Sequence, residues 1–196
     1  MQTPATTETP SPPASRGIIL LTGIMASGKS TVAQALAERL PGTVHLRGDL
    51  FRRMIVNGRA EVEPEPSAAA LEQLQLRYDL AATASRAYCA ADFTVVYQDV
   101  ILGSDLQRVV DRLRPMTVNV VVLCPGADVV AGREATRPKT GYGGPWTVAA
   151  LDRILREETP RLGLWLDTSK LDVAATVDAI LAYLADGGTK APTPPV

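Results

Sequence analysis

The sequence predicts an α/β fold in which a five-stranded parallel sheet is flanked by helices. Short β-branched runs alternate with longer helical patterns between residues 17 and 186, an order typical of strands joined by crossover helices. The first run, at residues 17–22, is apolar without alternation, as expected for a strand buried on both faces. The composition, 46% hydrophobic and 21% charged, is that of a globular domain with a sizeable core.

Four further strands are short runs of mainly apolar residues between turn or helix signals. They are predicted at residues 43–47, 93–99, 117–123 and 164–166. The single histidine, His45, lies between Val44 and Leu46 in the second strand. We predict that it is structural rather than catalytic, which leaves little support for hydrolysis through a Ser/His/Asp system.

Helical segments separate the strands. The segment at 30–40 carries its apolar residues on one stripe and is ended by a Pro-Gly pair. A long helix is predicted to begin at Ser67 after a Pro-rich break, and Ser104 with Gln107 has the spacing of a capping box. The other helices are predicted at residues 50–57, 127–136 and 147–158 and in the apolar segment before Gly187.

The chain ends differ from this pattern. Residues 1–16 and 187–196 hold seven of the fifteen prolines, together with Thr, Ser and Ala, and have little apolar surface to bury. We therefore expect one domain, residues 17–186, between two disordered tails.

The charge balance limits the partners of the chain. There are 20 basic and 21 acidic side chains, a formal net charge of -1, so no large basic field is available for nucleic acid. No apolar run approaches the ~20 residues that cross a bilayer, and the N-terminus has no positive leader. Cys89 and Cys124 are interpreted as buried thiols of a reducing compartment. These features predict a cytoplasmic protein that binds neither nucleic acid nor a membrane.

A phosphate-binding motif follows the first strand directly. Residues 23–30, Gly-Ile-Met-Ala-Ser-Gly-Lys-Ser, match G-x-x-x-x-G-K-[ST], a loop whose backbone N–H groups surround a polyphosphate at a helix N-terminus. Lys29 would neutralise charge between the β- and γ-phosphates, and the Ser30 hydroxyl would ligate Mg²⁺. The motif predicts a P-loop NTPase that binds ATP or GTP. The expected contacts to the nucleotide are Gly23, Ala26, Ser27, Gly28, Lys29, Ser30 and Thr31.

Acidic residues stand at the ends of the second and third strands, at the sheet edge where ligands of doubly wound sheets bind. Asp49 is predicted to be the general base for an attacking hydroxyl, and Arg52, one helical turn further on, to hold an anionic acceptor or the transferred phosphoryl group. Asp99 is predicted to organise Mg²⁺ or to contact the acceptor, and Gln98 to hydrogen-bond the acceptor. The structural alternatives are a helix N-cap for Asp49 and a strand-end turn for Asp99.

A cationic segment precedes a glycine-rich loop at residues 141–144. Arg133, Arg137 and Lys139 lie in this segment, and a hinged lid of this kind can close over a bound triphosphate. Arg133 and Arg137 are predicted to bind the nucleotide and to stabilise charge on the phosphoryl oxygens. The alternative is a solvated helix face.

The nucleobase is expected near residues 167–172, which follow the fifth strand. Ser169 is the predicted contact there, and residues 169–172, Ser-Lys-Leu-Asp, are faintly similar to the N/T-K-x-D element that reads guanine. The choice between ATP and GTP stays open.

Taken in order, these motifs resemble the P-loop kinases of small molecules, and most specifically the chloramphenicol phosphotransferase family of antibiotic-modifying enzymes. The resemblance covers residues 17–186 and rests on the phosphate loop, Asp49, the Gln98-Asp99 strand end and the Gly-Arg-Glu-x-x-Arg segment at residues 132–137. It implies a nucleotide-kinase-like fold with a flexible lid, and that Asp49 activates the hydroxyl of the acceptor.

We therefore expect an ATP- or GTP-dependent O-phosphotransferase that acts on a small hydroxylated molecule. The acceptor is expected to be an antibiotic, with a nucleoside antibiotic as one candidate. The alternatives are a primary-metabolite kinase resembling those for shikimate, gluconate or adenylylsulfate, a nucleotide-binding module without transferase activity, and a polynucleotide 5′-kinase. The last is disfavoured by the lack of basic excess.

Overall fold

Five parallel strands form the centre of the fold, as predicted. The computed structural model describes residues 17–61, 63–136, 142 and 146–188. The strands are β1 (Ile18–Thr22), β2 (Thr43–Arg47), β3 (Thr94–Gln98), β4 (Val118–Leu123) and β5 (Leu164–Leu166). They pair in the order β2–β3–β1–β4–β5, and every pair is parallel. The predicted α/β class with a five-stranded parallel sheet is confirmed.

Helices follow the strands and cover both faces of the sheet. They are α1 (Lys29–Arg39), α2 (Asp49–Arg53), α3 (Ala68–Ala90), α4 (Asp105–Arg112), α5 (Ala127–Ala135), α6 (Val148–Arg153) and α7 (Val173–Ala185). One π-helical turn, Ile154–Glu158, extends α6. Two buried apolar clusters form the core: α1 and α7 pack on one face of the sheet, and α3, α4 and α6 pack on the other.

Most predicted elements match within one or two residues, with two corrections. The helix after β2 begins at Asp49 and ends at Arg53, whereas we predicted residues 50–57. Ser67 caps α3 as expected by accepting a hydrogen bond from Ala70 N at 3.2 Å. Ser104 precedes α4 but has helical backbone angles and makes no side-chain cap, so the predicted capping box does not form.

The described chain continues past the last helix to Gly188, whose N–H donates to Tyr183 O at 3.1 Å. Residues 1–16 and 189–196, predicted to be tails, lie outside the described residues, as do residues 137–141 and 143–145 of the predicted lid. Within the described ranges, none of the helices has the length and hydropathy that a bilayer crossing needs.

Candidate nucleotide and acceptor site

The phosphate loop connects β1 to α1 in the conformation that its glycines allow. Gly28 has φ 96° and directly precedes α1, and Gly23 has φ 145°. A Cβ built on Gly23 would overlap the carbonyl oxygen of Leu123, so the chain can leave β1 this way only without a side chain. Ala26 also has a positive φ, 59°. The loop thus ends at the N-terminus of an eleven-residue helix, where backbone N–H groups lack helical partners.

The side chains of the loop occupy distinct places. Lys29 is buried, and its ammonium group donates to Ile24 O at 2.6 Å and to Ser27 Oγ at 3.5 Å. Its charge therefore lies within the loop itself. Ser30 and Thr31 are exposed on the first turn of α1, where their hydroxyls are accessible to a ligand.

Arg133 reaches the same loop from α5. Its guanidinium donates to Ser27 O at 3.3 Å and to Thr168 O at 3.0 Å. The structure thus brings this predicted residue to the phosphate loop and to the segment after β5. Arg137 and Lys139 lie outside the described residues.

Tyr142 is a loop contact that the sequence reading did not identify. Its hydroxyl donates to Met25 O of the phosphate loop at 2.7 Å, and its N–H donates to Glu134 Oε1 at 3.2 Å. Its signal in the sequence is a single aromatic residue within the glycine-rich loop at residues 141–144.

Asp49 starts α2 at the carboxyl edge of the sheet. Its side chain is 27% exposed and forms ion pairs with Arg53 at 2.6 Å and with Arg47 at 3.5 Å. Gln98 pairs with Leu21 of β1 and with Arg47 of β2 in one register, so the three strands end at a common level. Because β3 separates β2 from β1, Asp49 and the phosphate loop leave the sheet about two strand spacings apart, ~10 Å.

Arg52 points away from the Asp49 carboxylate. It donates to Glu61 Oε2 at 2.6 Å and to Ala60 O at 3.2 Å. These contacts connect α2 to the segment before α3. Arg52 also lines a small cavity between α2 and α3.

The end of β3 is buried. Gln98 and Asp99 are 5% and 1% exposed. Both oxygens of Asp99 contact the Arg77 guanidinium, and Oδ1 also accepts from Val100 N at 2.7 Å. Burial raises the pKa of Tyr97 well above its usual range, so this phenol stays protonated and donates to Asp99 Oδ2 at 3.5 Å. The sequence reading missed Arg77, which lies 22 residues from Asp99 on a helix with no motif.

The segment after β5 is fixed by side-chain hydrogen bonds. Ser169 Oγ accepts from Gly126 N at 2.8 Å and donates to Asp167 Oδ1 at 2.6 Å, which joins the loops after β4 and β5. The hydrogen bond from Ser169 lowers the pKa of Asp167. Asp172 is the N-cap of α7 and accepts from Ala175 N at 2.8 Å.

The residues present fit a nucleotide better than they fit a protein cage for a metal ion. The loop offers a helix N-terminus, a buried ammonium group and exposed hydroxyls, the donors that a polyphosphate requires. Ser30 is suited to hold Mg²⁺ that is bound mainly by phosphates and water. The Asp99 carboxylate is not, because Arg77 occupies both of its oxygens. Across the described part of the chain, no group of three His, Cys, Asp or Glu side chains could hold a metal ion.

The phosphate loop between the central strand and α1, together with this strand order, defines a P-loop NTPase of the nucleotide-kinase-like class. A family model described as an AAA domain matches residues 18–160. The chain belongs to this family of P-loop proteins, and the predicted fold is confirmed.

Several solved structures share the fold. A tunicamycin resistance protein of Deinococcus radiodurans is 24% identical, with 90% of this chain and 99% of the other covered and a TM-score of 0.61. A sugar kinase of Janibacter is 19% identical over 91% and 99%, with a TM-score of 0.63. An APS kinase of Mycobacterium tuberculosis, solved with AMPPNP and APS, is 14% identical over 87% and 99%, with a TM-score of 0.62. No curated protein matches the sequence.

Proposed function

We propose that this protein is an ATP- or GTP-dependent O-phosphotransferase that phosphorylates a hydroxyl of a small molecule. The observation that carries the proposal is the common sheet edge from which the phosphate loop and Asp49 leave, ~10 Å apart. That separation leaves room for a terminal phosphate and an acceptor hydroxyl between them. The partly exposed Asp49 carboxylate at this edge favours a transferase over a module that only binds nucleotide.

In the proposed reaction, the acceptor oxygen attacks the γ-phosphorus while the bond from that phosphorus to the bridging oxygen breaks. Asp49 accepts the hydroxyl proton as the new bond forms. Lys29 and Arg133 stabilise the charge on the phosphoryl and leaving oxygens, because both cations lie against the phosphate loop. Mg²⁺ held by Ser30 and the phosphates would neutralise further charge when bound. Arg137 is proposed to add a second arginine from the lid.

Two ion pairs fix the Asp49 carboxylate, and its partial exposure, 27%, leaves it accessible to an acceptor, unlike Asp99. Arg53 and Arg47 contact its carboxylate and keep it oriented at the start of α2. Arg52 is proposed to exchange Glu61, which is 68% exposed, for an anionic group of the acceptor, and Gln98 to assist acceptor binding. Ser169 is proposed to shape the nucleobase site through its bonds to Gly126 and Asp167.

We further propose that the acceptor is an antibiotic and that phosphorylation inactivates it in the cytoplasm. The structural likeness to a tunicamycin resistance protein supports this class of acceptor. A primary-metabolite kinase is the second candidate, because a sugar kinase and a gluconokinase also share the fold.

The test is a mass-spectrometric acceptor screen. The full-length protein is incubated with Mg²⁺, ATP or GTP, and matched panels of hydroxylated antibiotics, sugars and sugar acids, and a gain of one phosphoryl group is sought. Asp49→Asn should lower turnover by about 10² to 10⁴ while nucleotide binding is nearly kept. Asp178→Asn is the matched control, because the Asp178 side chain is exposed on α7. This variant should behave as the wild type.

Two results would contradict the proposal. Full turnover by Asp49→Asn would remove Asp49 as the base. The second result has two parts: the protein binds nucleotide but phosphorylates no member of the panel, and it phosphorylates DNA or RNA 5′ ends at physiological salt. This combination would favour a polynucleotide kinase.

A further inference from the structure

A buried ion pair joins Arg77 of α3 to Asp99 at the end of β3. Asp99 is 1% exposed, and the Arg77 side chain is 13% exposed. Arg77 extends from the middle of α3 to the carboxyl end of β3 and meets Asp99 with two nitrogen atoms, Nε and Nη2. A planar guanidinium that contacts both carboxylate oxygens fixes their orientation as well as their charge.

The Asp99 carboxylate packs against the backbone that leads to Asp49. A Cβ built on Gly48 would overlap Asp99 Oδ2 and would approach Tyr97 at 3.1 Å. The Gly48 N–H donates to Gln98 O at 3.0 Å. The residue before Asp49 is therefore confined between the end of β3 and the carboxylate that Arg77 holds.

Arg77 also faces α2 directly. It lines the small cavity between α2 and α3, together with Phe51, Arg52 and Ile55 of the α2 region. One side chain of α3 thus contacts the strand end that supports Gly48 and shares a cavity with the helix that begins with Asp49.

We propose that Arg77 is a positioning residue for Asp49, and that the Asp99 carboxylate serves this ion pair and not a magnesium ion. Arg77 orients Asp99, Asp99 confines Gly48, and Gly48 sets the direction in which α2 and Asp49 leave the sheet. This inference rests on the proposed function only where turnover is measured. The effect of Arg77 on the position of α2 can be measured without any acceptor.

A metal role for Asp99 conflicts with its surroundings. A cation would have to displace a guanidinium that contacts both oxygens. The freed Arg77 would then remain largely buried without its partner, which is strongly unfavourable. Val100 N and Tyr97 Oη both act as donors to Asp99, so neither adds a negative charge for a cation.

The experiment compares Arg77→Met, Arg77→Lys, Asp99→Asn and the double variant R77M/D99N with Arg86→Met. Arg86 is the matched control because it lies on the same helix and donates to Arg112 O at 2.7 Å, away from β3. The double variant guards against misfolding, because replacing both members of a buried pair is tolerated far better than removing one.

Hydrogen–deuterium exchange and nucleotide titrations need no acceptor. We expect Arg77→Met, Asp99→Asn and the double variant to exchange the amides of residues 48–53 at least about tenfold faster than the wild type, with Arg77→Lys in between. In all of these variants, the Mg²⁺ concentration that gives half-maximal ATP binding should stay within about twofold of the wild-type value. Arg86→Met should match the wild type in both measurements.

Where an acceptor is phosphorylated, kcat should fall by about 10²-fold in Arg77→Met with little change in the KM for ATP, since misplacement of a reacting group by about 1 Å has effects of this size. The double variant should be no worse than either single variant.

Unchanged exchange at residues 48–53 would overturn the positioning role. A Mg²⁺ requirement raised tenfold in Asp99→Asn but not in Arg77→Met would restore Asp99 as a metal ligand. If no acceptor is phosphorylated by the wild type, the proposed function fails while the exchange result still decides this inference.

Discussion

Arg133 of α5 donates to the backbone oxygen of Ser27 in the phosphate loop at 3.3 Å, across 106 residues of sequence. Its second hydrogen bond, to Thr168 O at 3.0 Å, ties the same guanidinium to the segment after β5. The cation therefore lies at the phosphate loop before any ligand is bound. To bind a phosphate, the guanidinium only has to exchange a backbone oxygen for a phosphate oxygen as its hydrogen-bond partner.

Replacement of Arg133 by Met should lower kcat by about 10³-fold, the lower end of the range for an arginine that stabilises the transferred phosphoryl group. Arg133→Lys should recover little of this, because a compact ammonium group does not reproduce the planar fork by which the guanidinium reaches both Ser27 O and Thr168 O. Steady-state kinetics with the acceptor found in the screen provides the measurement. Arg39→Met is the control, because the Arg39 side chain is exposed at the end of α1. A wild-type kcat in Arg133→Met would remove Arg133 from the catalytic groups.

Lys29→Met should abolish stabilisation of the protein by nucleotide. The ammonium group is buried in the phosphate loop and hydrogen-bonded to Ile24 O, and it is the cation that the loop itself supplies to a phosphate. Saturating ATP at 100 times its Kd stabilises a protein by about 2.7 kcal/mol, and this increment, read as a thermal shift, should vanish.

Arg39→Met is the matched control for that experiment, because Arg39 is exposed at the last residue of α1, at the opposite end of the helix from the phosphate loop. It should keep the thermal shift with ATP. A normal shift in Lys29→Met would contradict the phosphate-binding role of the loop.

Asp172→Ala should lower the free energy of unfolding by about 1 kcal/mol, the usual effect of losing an N-cap. Asp172 caps α7 through Ala175 N, so its carboxylate is already used in the apo protein. We expect the ratio of ATP to GTP affinities to stay the same in this variant, measured by titration with both nucleotides. Asp178→Ala, further along α7, should cost less than about 0.5 kcal/mol. A selective loss of GTP binding in Asp172→Ala would show that residues 169–172 read guanine after all.

The stability of the protein should decrease as pH falls below about 6.5 because of His45. Burial lowers the pKa of this imidazole from its ordinary value of 6.5, Arg47 lowers it further, and the Gln98 side chain and Asp49 oppose the shift. A group with a lowered folded-state pKa is protonated first in the unfolded chain, so its contribution is present above pH 6.5 and is lost between 6.5 and the folded pKa.

Urea unfolding at pH 7.5, 6.5 and 5.5 checks this expectation. His45→Gln should show a shallower decline of unfolding free energy over that interval than the wild type. The pKa of Asp167 is also lowered, but its ordinary value is 3.8. Asp167 therefore changes the free energy of unfolding only near and below pH 3.8, outside this interval. Equal slopes in the two proteins would exclude His45 as the source.

The elements of the sheet were predictable because each is specified locally. The apolar runs at residues 18–21 of β1 and 120–123 of β4 mark strand segments buried on both faces. The start of α3 was predictable because Ser67 is a residue type that caps helices, and it does so here. The error at Ser104 has the opposite origin. Its hydroxyl has the right spacing for a cap, but its backbone is already helical, a conformation that an N-cap does not adopt.

The sequence by itself determined the phosphate loop, because eight consecutive residues carry both its backbone conformation and its cation, and it also indicated Asp49 and Arg133 as partners of that loop. Only the tertiary structure decided how Asp99 is used. Its partner Arg77 belongs to a helix whose sequence carries no motif, and the two meet because α3 packs along β3. Short-range patterns report what the backbone does locally, whereas the pairing of buried charges depends on which elements the fold brings into contact.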